Sequence, residues 1–250
     1  MMNRNMTTLA SGITLLCTLV SHHAQAAIAL DRTRVVVEGG QKSVSMVVSN
    51  ENKQLPYLAQ GWIEDVQGNK IQSPLIVLPP VQRIEPGARS QVKIQTLSAV
   101  DALPQNRETL YYFNLREIPP RTDKPNTLQL ALQTRIKLFY RPKSLLPEKG
   151  AAPWQEKLTL TKIGDKYRVN NPTPYYVTLV EGAASQDGKA VSGFEPVMVE
   201  PRGQVTLKVG ASVLGSSPVL TYINDYGGRP KLKFSCSGSQ CTATPIKPKS

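Results

Sequence analysis

The side chains best suited to nucleophilic or metal chemistry are few in this 250-residue chain. Its only histidines are His22 and His23, and its only cysteines are Cys17, Cys236 and Cys241. Both histidines and Cys17 fall in a leading segment with the form of an export signal. Arg4 supplies a positive start, Thr7 to Val20 is apolar, and Ala24-Gln25-Ala26 has the small-x-small pattern of a cleavage site. Residues 1–26 are therefore expected to be removed, leaving a mature chain that begins at Ala27 and has no histidine. Ser-His-Asp and Cys-His nucleophiles are excluded, as are metal sites built from cysteine and histidine. Cys236 and Cys241, two thiols in an exported protein, most simply pair as one disulfide closing a four-residue loop; two free thiols are the alternative. Paired carboxylates could still hydrolyse glycosides, but the 18 acidic residues are scattered through turns and strand ends. The expectation is a protein that is not an enzyme and needs neither metal nor cofactor.

Formal net charge is +12, one less without Arg4. In a cytosolic protein this excess would suggest nucleic acid as a partner. An exported chain meets none routinely, so the charge points to an acidic or carboxylate-bearing protein partner, or else simply to a solubilising surface. Leu16 precedes Cys17 where a lipoprotein site needs a small residue, so no lipid anchor is expected. No later apolar run is long enough for a membrane helix.

Twenty prolines, seventeen glycines and many short β-branched runs mark the elements as strands. The first series is Arg34 to Val37, the alternation Val44/Met46/Val48, Tyr57 to Glu64, Leu75 to Leu78, the alternation Val92/Ile94/Thr96, and Glu108 to Glu117. Gly39-Gly40, Gly68-Asn69 and Pro86-Gly87 supply turns between them. Trp62 and Leu58 share a face by parity and are assigned to the core. Glu108 to Glu117 is apolar on both faces and reads as a central strand. After the proline-rich linker between Arg141 and Trp154 a second series of about seven strands runs from Leu158 to Cys236. Two antiparallel sandwiches of immunoglobulin type result, with boundaries at 27–145 and 146–250.

One segment exceeds the ordinary strand. From Thr127 to Arg141, Leu128, Leu130, Leu132, Ile136, Leu138 and Tyr140 fall on one side, while Gln129, Gln133, Arg135, Lys137 and Arg141 fall on the other. As one strand it would reach about 45 Å, against a usual length of about 5 to 6 residues. It could bend to serve two sheets. It could instead hold its leucines at an edge for burial by another chain, because an apolar edge left bare is an aggregation site. Such an edge also invites self-association of the free protein.

Several stretches resemble the periplasmic pilus chaperones of the chaperone/usher pathway. They include Leu30 to Arg34, Asn52 to Tyr57, Pro79 to Arg83, Tyr112 to Pro120, Ile136 to Pro142, Asn171 to Tyr176 and Tyr222 to Pro230. This likeness implies two immunoglobulin-like domains set at an angle around a cleft, in a periplasmic protein that caps pilus subunits and delivers them to an outer-membrane usher. It also implies roles. Leu128, Leu130, Leu132 and Ile136 would belong to the strand lent to the subunit, Arg34 and Lys137 would anchor the subunit's terminal carboxylate, and Glu108, Arg141 and Asp225 would form interdomain ion pairs. The short connection from Glu117 to Asn126 resembles the branch that serves rod-like pili. Gly182 to Gly193, Gly210 to Ser217 and the tail after Thr242 match no family pattern. The competing reading is a structural or adhesive fibre protein with immunoglobulin-like domains. A fibre subunit should carry an alternating N-terminal segment for donation, and Ala27 to Arg34 is too short and too charged for that.

Overall fold

The computed structural model describes residues 26–123, 125 and 127–246, so nearly all of the signal-like segment, Lys124, Asn126 and the last four residues lie outside the described residues. The first domain contains β1 (Ile28–Leu30), β2 (Arg34–Glu38), β3 (Ser43–Asn50), β4 (Tyr57–Glu64), β5 (Lys70–Ile71), β6 (Leu75–Leu78), β7 (Val81–Ile84), β8 (Arg89–Thr96), β9 (Thr109–Ile118) and β10 (Gln133–Arg141). One sheet has the order β1-β3-β8-β6; the other is β2-β10-β9-β4-β5, with β7 also paired to β4. The N-terminal stretch thus switches sheets at Asp31 to Thr33: β1 pairs antiparallel with β3, and β2 runs parallel to β10. Alternation explains the core between the sheets. Val35, Val37, Met46, Val48, Ile63, Phe113 and Leu138 all point into it and are essentially inaccessible.

The second domain contains β11 (Thr159–Ile163), β12 (Lys166–Asn170), β13 (Val177–Ala183), β14 (Val197–Val199), β15 (Gln204–Gly210), β16 (Val219–Ile223), β17 (Lys231–Ser237) and β18 (Gln240–Pro245). These form one ribbon of eight strands in the order β14-β13-β16-β17-β18-β11-β12-β15, and every strand contributes to a single core that includes Leu160, Val169, Leu179 and Phe234. Cys236 and Cys241 face each other across the β17–β18 hairpin and form a disulfide. Among the described residues no helix is long and apolar enough to cross a membrane.

Two sequence expectations need correction. The long strand begins at Gln133, not Thr127. Its neighbour β9 ends at Ile118, just before Pro119-Pro120, and β2 on the other side starts only at Arg34, opposite Lys137. Beyond a last backbone bond between Glu117 of β9 and Leu132, residues 127–131 therefore have no neighbouring strand among the described residues. Trp62 is not in the core either. The inward residues of β4 are Ala59, Gly61 and Ile63, and a side chain at Gly61 would meet Val77 Cγ1 at 2.9 Å. Trp62 shares the outer face with Leu58, donates Nε1–H to Glu64 at 2.7 Å, and is covered by Lys70 and Arg116 at 4.3 and 5.1 Å from the ring centre.

Candidate functional site

Arg34 opens β2 and Lys137 lies directly opposite it on β10, so the parallel pairing puts both cations on one face of the sheet. Val35 and Leu138, their chain neighbours, point the other way into the core, which leaves both cations on the outer face of the sheet. Arg34 spans the gap, donating Nη1–H to the Ile223 carbonyl at 3.2 Å, while its buried Nε has no hydrogen-bond partner. Burial lowers the Arg34 pKa, with the charges of Asp225 and Glu108 partly opposing it. Burial also lowers the Lys137 pKa, and the positive charges of Arg34 and Arg135 add to the effect. Arg34, Thr33, Glu38, Asp225 and Tyr226 help line an interdomain cavity of about 370 Å³; Lys137 is on the adjoining strand, outside that wall. Two half-buried cations with unused donors on one sheet face are suited to binding an anion, and a carboxylate would satisfy both.

The far end of β10 carries the contact between domains. Arg141 Nε–H donates to Glu108 Oε1 at 2.8 Å, and Arg141 Nη1–H and Nη2–H donate to Asp225 at 2.7 and 3.1 Å. The second Glu108 oxygen accepts the Tyr176 N–H at 2.8 Å. Burial pushes the Glu108 pKa up, further than the Arg141 charge brings it down. Burial works against the Arg141 charge too, but its hydrogen bond to Asp225 and the two carboxylate charges outweigh this and raise the pKa. A pair whose desolvation rivals its attraction fixes geometry more than it adds stability.

Sequence reasoning missed the aromatic bracket around this network. Trp154 stacks on Tyr175 at 4.4 Å, the Arg141 guanidinium lies 4.7 Å from the Trp154 ring, and Phe139 meets Tyr176 at 5.6 Å. Large aromatics flanking the proline-rich linker were the available signal.

The leucine segment lies next to the upstream end of β10. Leu128, Leu130 and Leu132 are 82%, 65% and 43% exposed, an unusual display for three apolar side chains at alternate positions. Ile136 differs from them: it is buried in its own domain's core, because from Gln133 onward β10 is covered by the opposite sheet.

The comparisons with known proteins agree with this arrangement over both domains. Residues 27–146 match the model described as pili and flagellar-assembly chaperone, PapD N-terminal domain, and residues 153–234 match pili assembly chaperone PapD, C-terminal domain. The chain belongs to the PapD family of pilus assembly chaperones. It is 52% identical over 220 residues to the chaperone protein PapD of Escherichia coli, covering 88% of this chain and 90% of that one. It is 50% identical over 232 residues to the probable fimbrial chaperone YfcS of Escherichia coli K12, covering 93% and 92%. Among solved structures, the Salmonella enterica SafA pilin in complex with the SafB chaperone aligns with a TM-score of 0.68 at 27% identity, covering 82% of this chain and 93% of that one.

Proposed function

We propose that this pilus chaperone acts in the periplasm by lending residues 128–132 to a pilus subunit as a missing strand, and then delivers the capped subunit to an outer-membrane usher. The observation that carries the reading is the placement of three exposed leucines just upstream of β10, in line with the strand on which Lys137 lies opposite Arg34. Burying each leucine in an acceptor groove would contribute about 1.5–3 kcal/mol before the ordering costs of association.

The position of β2 supports a parallel direction of pairing. This strand runs parallel to β10 and begins at Arg34, so the lane upstream of it is vacant. A foreign strand taking that lane in the same direction would finish at Arg34 and Lys137, with its terminal carboxylate between them. In this reading the anchor is Arg34 and Lys137, the donor residues are Leu128, Leu130 and Leu132, and Ile136 holds the base of the strand to its own domain. Glu108, Arg141 and Asp225 keep the domains, 27–145 and 146–250, at the angle that forms the cleft.

The test is co-expression with a pilus subunit from the same organism, followed by periplasmic co-purification. Arg34→Ala and Leu130→Glu should each yield folded, secreted protein that no longer retains subunit. Recovery of subunit at the wild-type level with either variant would overturn its assigned role.

A further inference from the structure

The β9–β10 ladder stops for a chemical reason. Gln133 faces Arg116 and Thr134 faces Leu115. One step further out, the Glu117 N–H donates to the Leu132 carbonyl at 3.0 Å. Hydrogen-bonded pairs recur at every second residue of an antiparallel ladder, so the next would join residue 119 to Leu130. Residue 119 is proline, which has no N–H to give. Pro120 falls at the intervening position, where the backbone nitrogen faces away from β10. Its carbonyl instead accepts the Gln129 side-chain amide at 2.6 Å.

We infer that Pro119 is a positioning residue for strand donation, ending the ladder so that the leucine segment keeps its β9-side edge unpaired in the free protein. The inference rests on the donor reading above and adds a requirement to it. On the other side β2 begins only opposite Lys137, so upstream of the Glu117–Leu132 bond both edges of the segment are open among the described residues. A strand inserted between two strands of a partner needs both edges. A segment already zipped to its own β9 would have one to offer, and would have to break that pairing before insertion.

The test uses the full chain with Pro119→Val, which restores a donor on a β-branched residue. Pro119→Ala is the smaller alternative if valine disturbs packing, and Pro120→Val is the control on the opposite edge. Amide exchange in the free protein, read by NMR, should show Leu130 protected about tenfold more than in wild type in the position-119 variant, with the new amide of residue 119 exchanging about tenfold slower than in an unstructured peptide, and no added protection of Leu130 in the control. Affinity for a purified pilus subunit should fall by a similar factor. Absence of new protection overturns the inference and leaves the donor reading standing, and so does protection accompanied by unchanged affinity. If Leu130→Glu binds subunit as tightly as wild type, the donor reading itself fails, and the inference falls with it. The exchange measurement on the free protein separates these cases.

Discussion

Replacing Arg141 by methionine should be among the most damaging single changes available at the domain interface, for reasons that can be worked through from the site. Methionine keeps the length of the side chain but removes every donor. The Glu108 side chain is only 2% exposed, so without Arg141 its Oε1 has no partner and no water, while Oε2 keeps the Tyr176 N–H. Stranding one member of a buried pair costs about 3–5 kcal/mol. That is a large share of the roughly 5–15 kcal/mol that keeps an ordinary domain folded. Asp225 behaves differently: its side chain is 27% exposed and can rehydrate, so Asp225→Asn should cost only about 1–2 kcal/mol. The sharper expectation concerns Arg141→Met combined with Glu108→Gln. The second change removes the stranded charge, so the double variant should be more stable than Arg141→Met alone. Urea unfolding followed by tryptophan fluorescence is a suitable assay, since the Trp154 ring lies 4.7 Å from the Arg141 guanidinium and reports on the interface directly. A loss below about 1 kcal/mol for Arg141→Met would refute the reasoning. So would a double variant whose loss equals the sum of the singles, which would mean that the residues do not interact.

Other expectations follow from the same contacts. Lys137→Met should raise the stability of the free protein while abolishing subunit retention, because burial lowers the folded-state pKa of this lysine below its ordinary 10.5. The sign follows from linkage: the folded state holds this proton less tightly than the unfolded chain, so the penalty is fully present at neutral pH and is relieved as pH rises through the lowered value toward 10.5. Urea midpoints of wild type and variant should therefore converge at alkaline pH, and a wild type more stable than the variant at pH 7 would contradict this. Removing the disulfide by Cys236→Ser with Cys241→Ser reopens a loop of about six residues and should cost about 2 kcal/mol, seen as a lower unfolding midpoint for the second domain only. Trp154→Ala should loosen the interface without unfolding either core, detectable as faster protease cleavage in the linker between Arg141 and Trp154.

Where burial follows strict alternation, the sequence was sufficient. The period of two in β3 and β10 identifies Met46, Val48 and Leu138 as inward residues, and the apolar faces of β9 mark it as a central strand, whereas the three consecutive valines of β2 leave its inward face open. Parity alone could not say which face was inward in β4. There the small residues Ala59 and Gly61 face the core and the large Trp62 lies outside, sheltered by cations from neighbouring strands. Alternation also continues past the end of pairing, because a side-chain pattern carries no information about whether a neighbouring backbone is present. The pattern at Leu128, Leu130 and Leu132 reads as strand, yet the strand begins at Gln133. Pro119-Pro120 is visible in the sequence, but only the register of β9 against β10 shows which ladder bond it removes. The strands β1, β5, β7 and β18 are not legible in the sequence: β1, β5 and β7 have only two to four residues, and β18 has one buried position, Cys241, among its six. The anchor and ion-pair residues were legible only through family resemblance, since isolated Arg, Lys, Glu and Asp ordinarily belong to solvated surfaces.

The most direct measurement is the structure of this chaperone in complex with a pilus subunit from the same organism. The account predicts residues 128–132 as a strand paired on both edges to the subunit, their three leucines buried in it, and the subunit's terminal carboxylate within hydrogen-bond distance of Arg34 and Lys137. A complex in which the leucines remain exposed and that carboxylate lies away from the two cations would contradict it.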